Sequence, residues 1–200
     1  NFCGVTGLKT SVGRVSRFGA MPLSHSLDTI GPLAQTAEDC ALVLQAIAGP
    51  DASDPTALPV PVPDYAAACR LGVRGMRLGV PDAFYLDGLE PATARAFEAA
   101  LDAFRGEGVE IVSISLPDQM RLSAAGQILL ACEAAAFHRR WLAERPEDYG
   151  AQVRARLENG LAIPAVTYLE ALRWRAIALT EHLQSVAGVD AFLAPVSARK

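Results

Sequence analysis

Ser24, His25, Ser26 and Asp28 stand in one short run. Together they supply the side-chain types of a serine hydrolase: a hydroxyl to attack, an imidazole to take its proton and a carboxylate to orient the ring. Their closeness counts against that chemistry, because the members of such a triad come from separate segments that converge on one point. Ser26 and Asp28 read instead as loop residues whose side chains hydrogen-bond nearby backbone. Lys9 is the one lysine inside the chain, since Lys200 ends it, and arginine cannot replace it as a deprotonated base. Nothing beside it in sequence would depress its pKa, so it reads as a cation for a carboxylate. Cys3 sits between Phe2 and Gly4 without a neighbouring His or Lys to make a thiolate, and reads as a packing residue. His138 with Glu133, and the seven-residue series Tyr168, Arg175 and His182, are helix-borne polar residues that read first as hydrogen-bonded side chains and second as pocket lining.

Composition removes several other classes. A net charge of −4 with mixed signs points to no nucleic acid and no anionic membrane as partner. Cys3, Cys40, Cys69 and Cys132 are too far apart for a zinc site or a disulfide framework and fit reduced thiols in a cytoplasmic protein. No apolar run is long enough to span a bilayer. Both ends fall within patterned sequence, so the chain reads as an excerpt of a longer polypeptide.

The elements that must position these residues follow the period of the apolar residues. Residues 1–32 carry glycines at 4, 7, 13, 19 and 31 and little that could start a helix or an ordinary strand pair. They read as a glycine-hinged loop, packed through Val5, Leu8, Val12, Val15, Phe18, Met21, Leu23, Leu27 and Ile30. Thr36 and Asp39 form a capping box for a helix with Cys40, Val43, Leu44 and Ile47 on one face, stopped at Gly49-Pro50. Residues 51–64 are a proline-rich extended connector. A strand at 76–81, a helix at 91–104 with Phe97 and Leu101 inward, and a strand at 109–116 make a βαβ unit with parallel strands. The glycines of that unit follow the helix, so no dinucleotide fingerprint is present. Residues 118–144 read as a helix rich in alanine, 165–187 as a helix packed through Ala165, Leu169, Leu172, Ala176, Leu179, Leu183 and Val186, and 189–196 as a buried strand. The class is α/β.

The opening stretch also resembles the amidase signature family of Ser-Ser-Lys hydrolases. The matching residues are Phe2-Cys3-Gly4, Gly7-Leu8-Lys9, Gly13-Arg14-Val15-Ser16, Gly19, Pro22-Leu23, Ser26-Leu27-Asp28 and Gly31-Pro32, then Thr36, Glu38, Asp39 and Leu44. Weaker matches are Asp54-Pro55, the series Gly75, Arg77, Gly79 and Pro81, then Gly108, Glu110 and Val112, then Tyr168, Ala171 and Arg175, and Asp190 with Pro195. Thr10 departs from the family's usual proline after Gly-Leu-Lys.

The resemblance implies a mixed twisted sheet flanked by helices, here as a partial domain. Residues 1–50 would end the signature core, and 51–200 would form the variable half that shapes the substrate pocket. It implies an amidase that needs no metal or cofactor. Its catalytic lysine, cis-serine and nucleophilic serine would lie upstream of Asn1, so none of this chain's residues is catalytic. Cys3, Gly4, Phe137, His138 and Tyr168 would line the substrate pocket, while Lys9, Arg14, Ser26 and Asp28 would support the loop, with Arg17 beside Arg14 holding loop carboxylates or carbonyls. The implied partner is a small-molecule amide, with a homodimer as an open assembly. The family also includes the A subunit of glutamyl-tRNA amidotransferase. The run Pro22 to Asp28 resembles stand-alone amidases more, and the region of Phe137-His138 lacks the sequence characteristic of that amidotransferase. A non-catalytic scaffold is the alternative of another class.

Overall fold

The computed structural model describes residues 3–198; Asn1, Phe2, Arg199 and Lys200, and with them the first residue of the Phe2-Cys3-Gly4 match, lie outside the described residues. The chain forms two compact units, each built from two separate stretches: Asn1–Gly72 with Leu130–Ile163, and Val73–Leu129 with Pro164–Lys200.

In the first unit, β1 (Thr6–Gly7) pairs antiparallel with β2 (Leu33–Ala34). The opening loop thus supplies one two-residue strand, and its partner follows directly after the loop. α1 (Ala37–Ile47) begins as its sequence dictates. The Thr36 hydroxyl accepts from the Asp39 N–H at 3.0 Å, and the Asp39 carboxylate accepts from the Thr36 N–H at 3.2 Å. Its buried residues are Cys40, Ala41 and Leu44; Val43 and Ile47, expected on the same stripe, are exposed. The proline-rich connector is tied to the loop at Gly13, whose carbonyl accepts from the Leu58 N–H at 2.8 Å. Gly13 has φ 79°, and a Cβ there would meet the Thr56 carbonyl oxygen at 2.6 Å, so only glycine fits. The connector ends in a single-turn helix, α2 (Tyr65–Ala68), capped by Asp64.

The second unit contains the βαβ element. β3 (Arg77–Pro81) and β4 (Glu110–Ile114) are parallel and in register from Arg77↔Glu110 to Pro81↔Ile114, with α3 (Pro91–Gly106) between them in sequence. α3 starts on Pro91, where a missing N–H costs nothing, and buries Phe97 and Leu101. On the other edge of β3 lies β5 (Ala191–Phe192), also parallel, giving the order β4-β3-β5. Asp190 sets that pairing by accepting from the Arg77 N–H at 2.7 Å, while the Arg77 guanidinium donates to the Gly188 carbonyl. The expected buried strand over 189–196 is corrected: pairing is limited to two exposed residues, and Val196 is exposed.

Two long helices complete the chain. α4 (Gln119–Glu144) places its first half in the second unit and its second half in the first. α6 (Ala165–Val186) belongs to the second unit. Its packing face differs from the expected one. Leu169, Leu179 and Leu183 are exposed, whereas Ala171 and Ala178 are buried. Trp174 lies under the Arg121 guanidinium at 4.9 Å, and His182 meets Phe192 of β5 edge-on. The buried face therefore follows Ala171, Trp174, Ala178 and His182, where small residues admit a close neighbour, and not the leucine stripe.

α5 (Ala151–Leu161) packs on the second half of α4, and its approach depends on one residue. A Cβ on Gly160 would stand 2.1 Å from the Ala131 carbonyl oxygen and 2.7 Å from the Ala135 Cβ. Beside this contact Ala134, Leu142 and Leu157 form a buried cluster covered by Tyr149. Gly160→Ala is expected to destabilise the protein by about 1–3 kcal/mol through overpacking, outweighing the roughly 1 kcal/mol that alanine adds to a helix. A denaturant midpoint equal to or above the wild type would contradict this close helix contact.

Candidate functional site

The run that carries Ser24, His25, Ser26 and Asp28 is a closed turn, with the Asp28 N–H donating to the Ser24 carbonyl at 3.0 Å. Asp28 faces inward and accepts from the backbone N–H groups of Leu23 (2.8 Å) and Ser24 (2.9 Å). The Ser24 side chain is fully buried at 0% exposure, and its hydroxyl donates to Glu133 at 2.5 Å. Ser26 donates to the same carboxylate twice, from its hydroxyl at 2.7 Å and its N–H at 2.9 Å. Glu133, itself buried on α4, thus accepts three hydrogen bonds from a loop 107 and 109 residues away in sequence. A buried carboxylate is tolerable only with such donors. Each serine of the apparent triad is committed to Glu133 and Asp28 to backbone, so the three do not form a relay.

The His25 side chain is exposed and meets the Phe137 ring edge-on at 6.3 Å. Phe137 is also edge-on to Trp141, and His138 continues the cluster. His138 and Glu133 share α4. Five residues apart on a helix they face different ways, and the His138 ring turns to the Tyr149 hydroxyl, 2.9 Å from Nδ1. Burial holds the His138 pKa below the ordinary imidazole value, keeping the ring neutral.

A second set of carboxylates orders the other side of the loop. Asp54 is buried and accepts from the Arg17 N–H (2.7 Å), the Thr56 hydroxyl (2.6 Å) and the Thr56 N–H (2.9 Å). The Arg17 N–H, then the Thr56 donors, hold its pKa down at about 2. Asp51 is lowered chiefly by the Ser16 hydroxyl, which donates to it at 2.6 Å. The Arg17 guanidinium donates to the carbonyl of His25 (2.9 Å) and to the Thr56 hydroxyl (2.8 Å), while Arg14 donates to the Pro61 carbonyl and the Tyr65 hydroxyl. Thr10 donates through its hydroxyl to the Ile30 carbonyl at 2.9 Å. Between these fixed points lies a cleft of about 430 Å³, lined by the apolar Phe18, Met21, Leu23 and Ile30 and the polar Arg17, His25, Asp28 and Thr56.

Of the other residues singled out in the sequence, Cys3, Gly4 and Lys9 are exposed, and Lys9 makes no ion pair with the described residues. Tyr168 is half-buried on α6, in the second unit. Burial raises the Cys132 thiol pKa, with Glu133 adding to the effect, which keeps that sulfur protonated. Among the described residues no cluster of His, Cys, Asp and Glu could hold a metal ion, and no helix is long and apolar enough to cross a membrane. Sequence reading missed Glu133 as the loop's anchor and Asp54 as a hub. The Asp54-x-Thr56 spacing, which makes a side-chain-capped turn, was the one local signal for the latter.

The clamped Ser-x-Ser-x-Asp loop sits on an α/β scaffold, and comparison with known proteins gives the family of that scaffold. The chain belongs to the Amidase family, the amidase signature enzymes, whose model matches residues 1–200. It is similar to an amidase of Pseudomonas putida (39% identical over 196 residues, 98% of this chain and 42% of that protein). It is also similar to the A subunit of glutamyl-tRNA(Gln) amidotransferase from Geobacter sulfurreducens (36% over 219 residues, 98% and 45%). Among solved structures it superposes with TM-score 0.87 and 32% identity on a chain from a vestigial protein complex bearing on the origins of an s-triazine catabolic enzyme, covering 98% of this chain and 42% of that one. On native peptide amidase from Stenotrophomonas maltophilia the TM-score is 0.76 with 31% identity, covering 94% and 44%. The chain spans less than half the length of the curated relatives named here.

The neutral state of His138 gives a pH signature. The unfolded ring binds a proton near pH 6.5 and the folded ring only at lower pH. Its contribution to stability is therefore complete above that value and lost as pH falls through the lowered one. The stability advantage of the wild type over His138→Gln, read from urea midpoints, is expected to be largest at pH 7 and to shrink toward pH 5. An advantage that is flat over this range would show that the ring is not held neutral.

Proposed function

We propose that this chain is the downstream part of an amidase signature hydrolase that cleaves a carboxylic amide C–N bond to an acid and an amine or ammonia. The observation that carries the reading is the family match along residues 1–200, which includes the loop clamped by Glu133 and Asp28. In this reading a lysine upstream of Asn1 takes a proton from a cis-serine, which in turn takes one from the nucleophilic serine. That serine's oxygen attacks the amide carbonyl, and backbone N–H groups hold the oxyanion. The C–N bond breaks as the leaving nitrogen gains a proton, and water then releases the acid from the acyl-enzyme. No metal or cofactor enters.

Residues 1–50 end the signature core, and 51–200 shape the substrate pocket. Cys3 and Gly4 lie near the acyl site, Phe137, His138 and Tyr168 contribute pocket wall, and Lys9, Arg14, Ser26 and Asp28 support the loop. The setting is cytoplasmic, the substrate is a small linear amide, and a homodimer is the assembly to look for.

A second reading, the A subunit of a glutamyl-tRNA amidotransferase, draws support from relatives of that name at 34–37% identity. It requires partner proteins, whereas the stand-alone reading does not. The complete polypeptide, alone, is expected to release ammonia or amine from simple amides and to lose this activity when the upstream lysine or either serine is replaced. This 200-residue chain by itself is expected to show no turnover. Serine-dependent hydrolysis by the isolated chain would refute the placement of the nucleophile, and activity of the complete polypeptide only with partner proteins would favour the second reading.

A further inference from the structure

A cleft of about 430 Å³ lies beside the clamped loop. His25 is the one residue of the Ser24–Ser26 run whose side chain is not spent on Glu133. Its neighbours on both sides are pinned to that carboxylate, and its own carbonyl accepts from Arg17. The imidazole is therefore held by its backbone between two features: the Phe137 ring, which it meets edge-on, and the cleft, whose apolar lining is Phe18, Met21, Leu23 and Ile30. Phe18 and Met21, on a loop otherwise fixed by hydrogen bonds, line that cleft. A rigid concave site with apolar walls and a few oriented polar groups is what a small organic ligand requires.

We propose that His25 is a specificity-determining residue that, with Phe18 and Met21, receives the apolar or aromatic portion of an amide, and that Glu133 is the positioning residue that holds it there. Glu133 acts through Ser24 and Ser26 and touches no ligand. The proposal rests on the amidase reading for the identity of the ligand but not for the existence of the site.

The test uses the complete polypeptide with ¹³C-labelled histidine, the His25 resonance being the one absent from His25→Ala. Phenylacetamide is expected to shift that resonance and acetamide to leave it in place. Glu133→Gln, whose amide nitrogen cannot accept from a serine hydroxyl, is expected to abolish the shift. The milder Ser26→Ala, which removes one hydroxyl donor, is expected to reduce it. In turnover, His25→Ala is expected to raise KM for phenylacetamide about three- to tenfold while kcat stays within about twofold. Absence of a His25 shift with phenylacetamide overturns the site. An undiminished shift in both Glu133→Gln and Ser26→Ala overturns the positioning role, and equal KM changes for the two amides overturn the specificity. A His25 shift without turnover of any amide by the wild type refutes the hydrolase reading and leaves the site standing.

Discussion

The buried carboxylate of Glu133 is the constraint on which the first unit depends. Removing a charge from water is costly, and the protein offsets that cost with two hydroxyls and a backbone N–H from one turn of the loop. Each charge-assisted bond of this kind contributes on the order of 1.5–3 kcal/mol, and loss of one donor weakens the arrangement by leaving the buried carboxylate less well satisfied. The turn is closed from its own side by Asp28, and the neighbouring segment by Asp54 and Asp51. An irregular backbone this long is thus ordered by carboxylates, each gathering several donors, and little by apolar burial.

That mode of construction leaves the loop's large apolar side chains free for other work. Val15 is buried, but Phe18 and Met21 stand in the open beside a cleft. A loop fixed by hydrogen bonds can present such groups without collapsing around them. Preorganised walls of this sort spare the ordering cost that a flexible loop would incur on meeting a ligand. The aromatic cluster of Phe137, His138, Trp141 and Tyr149 continues the same surface into α4, where burial keeps His138 uncharged.

Local chemistry was readable in the sequence wherever the partners were close along the chain. The capping box of α1 spans three residues, and the βαβ unit announces itself through strand, helix and strand in order. α6 shows the limit. Its leucines and alanines from Ala165 to Val186 alternate four- and three-residue spacings, yet the helix packs through Ala171 and Ala178, because small residues permit an approach that leucines prevent. α5 is preceded by Gly150, which offers no side-chain cap to signal it. Glu133 was legible as a helix-borne polar residue near His138, without its partners. Its meaning lies in serines 107 and 109 residues earlier, and no periodicity encodes that distance.

The interleaving of the two units has a consequence for how the polypeptide comes into being. Each unit is assembled from two stretches separated by a piece of the other. A ribosome releases residues in order, and domains tend to fold as their last segment emerges. Ser24 and Ser26 are therefore made well before the carboxylate that will hold them, and β3 waits for Asp190 before its second edge is paired. During that interval the nascent chain carries an unanchored loop with exposed phenylalanine and methionine, together with an open parallel edge. That interval ends for the loop when Glu133 is made, and for the edge of β3 when Asp190 and β5 follow.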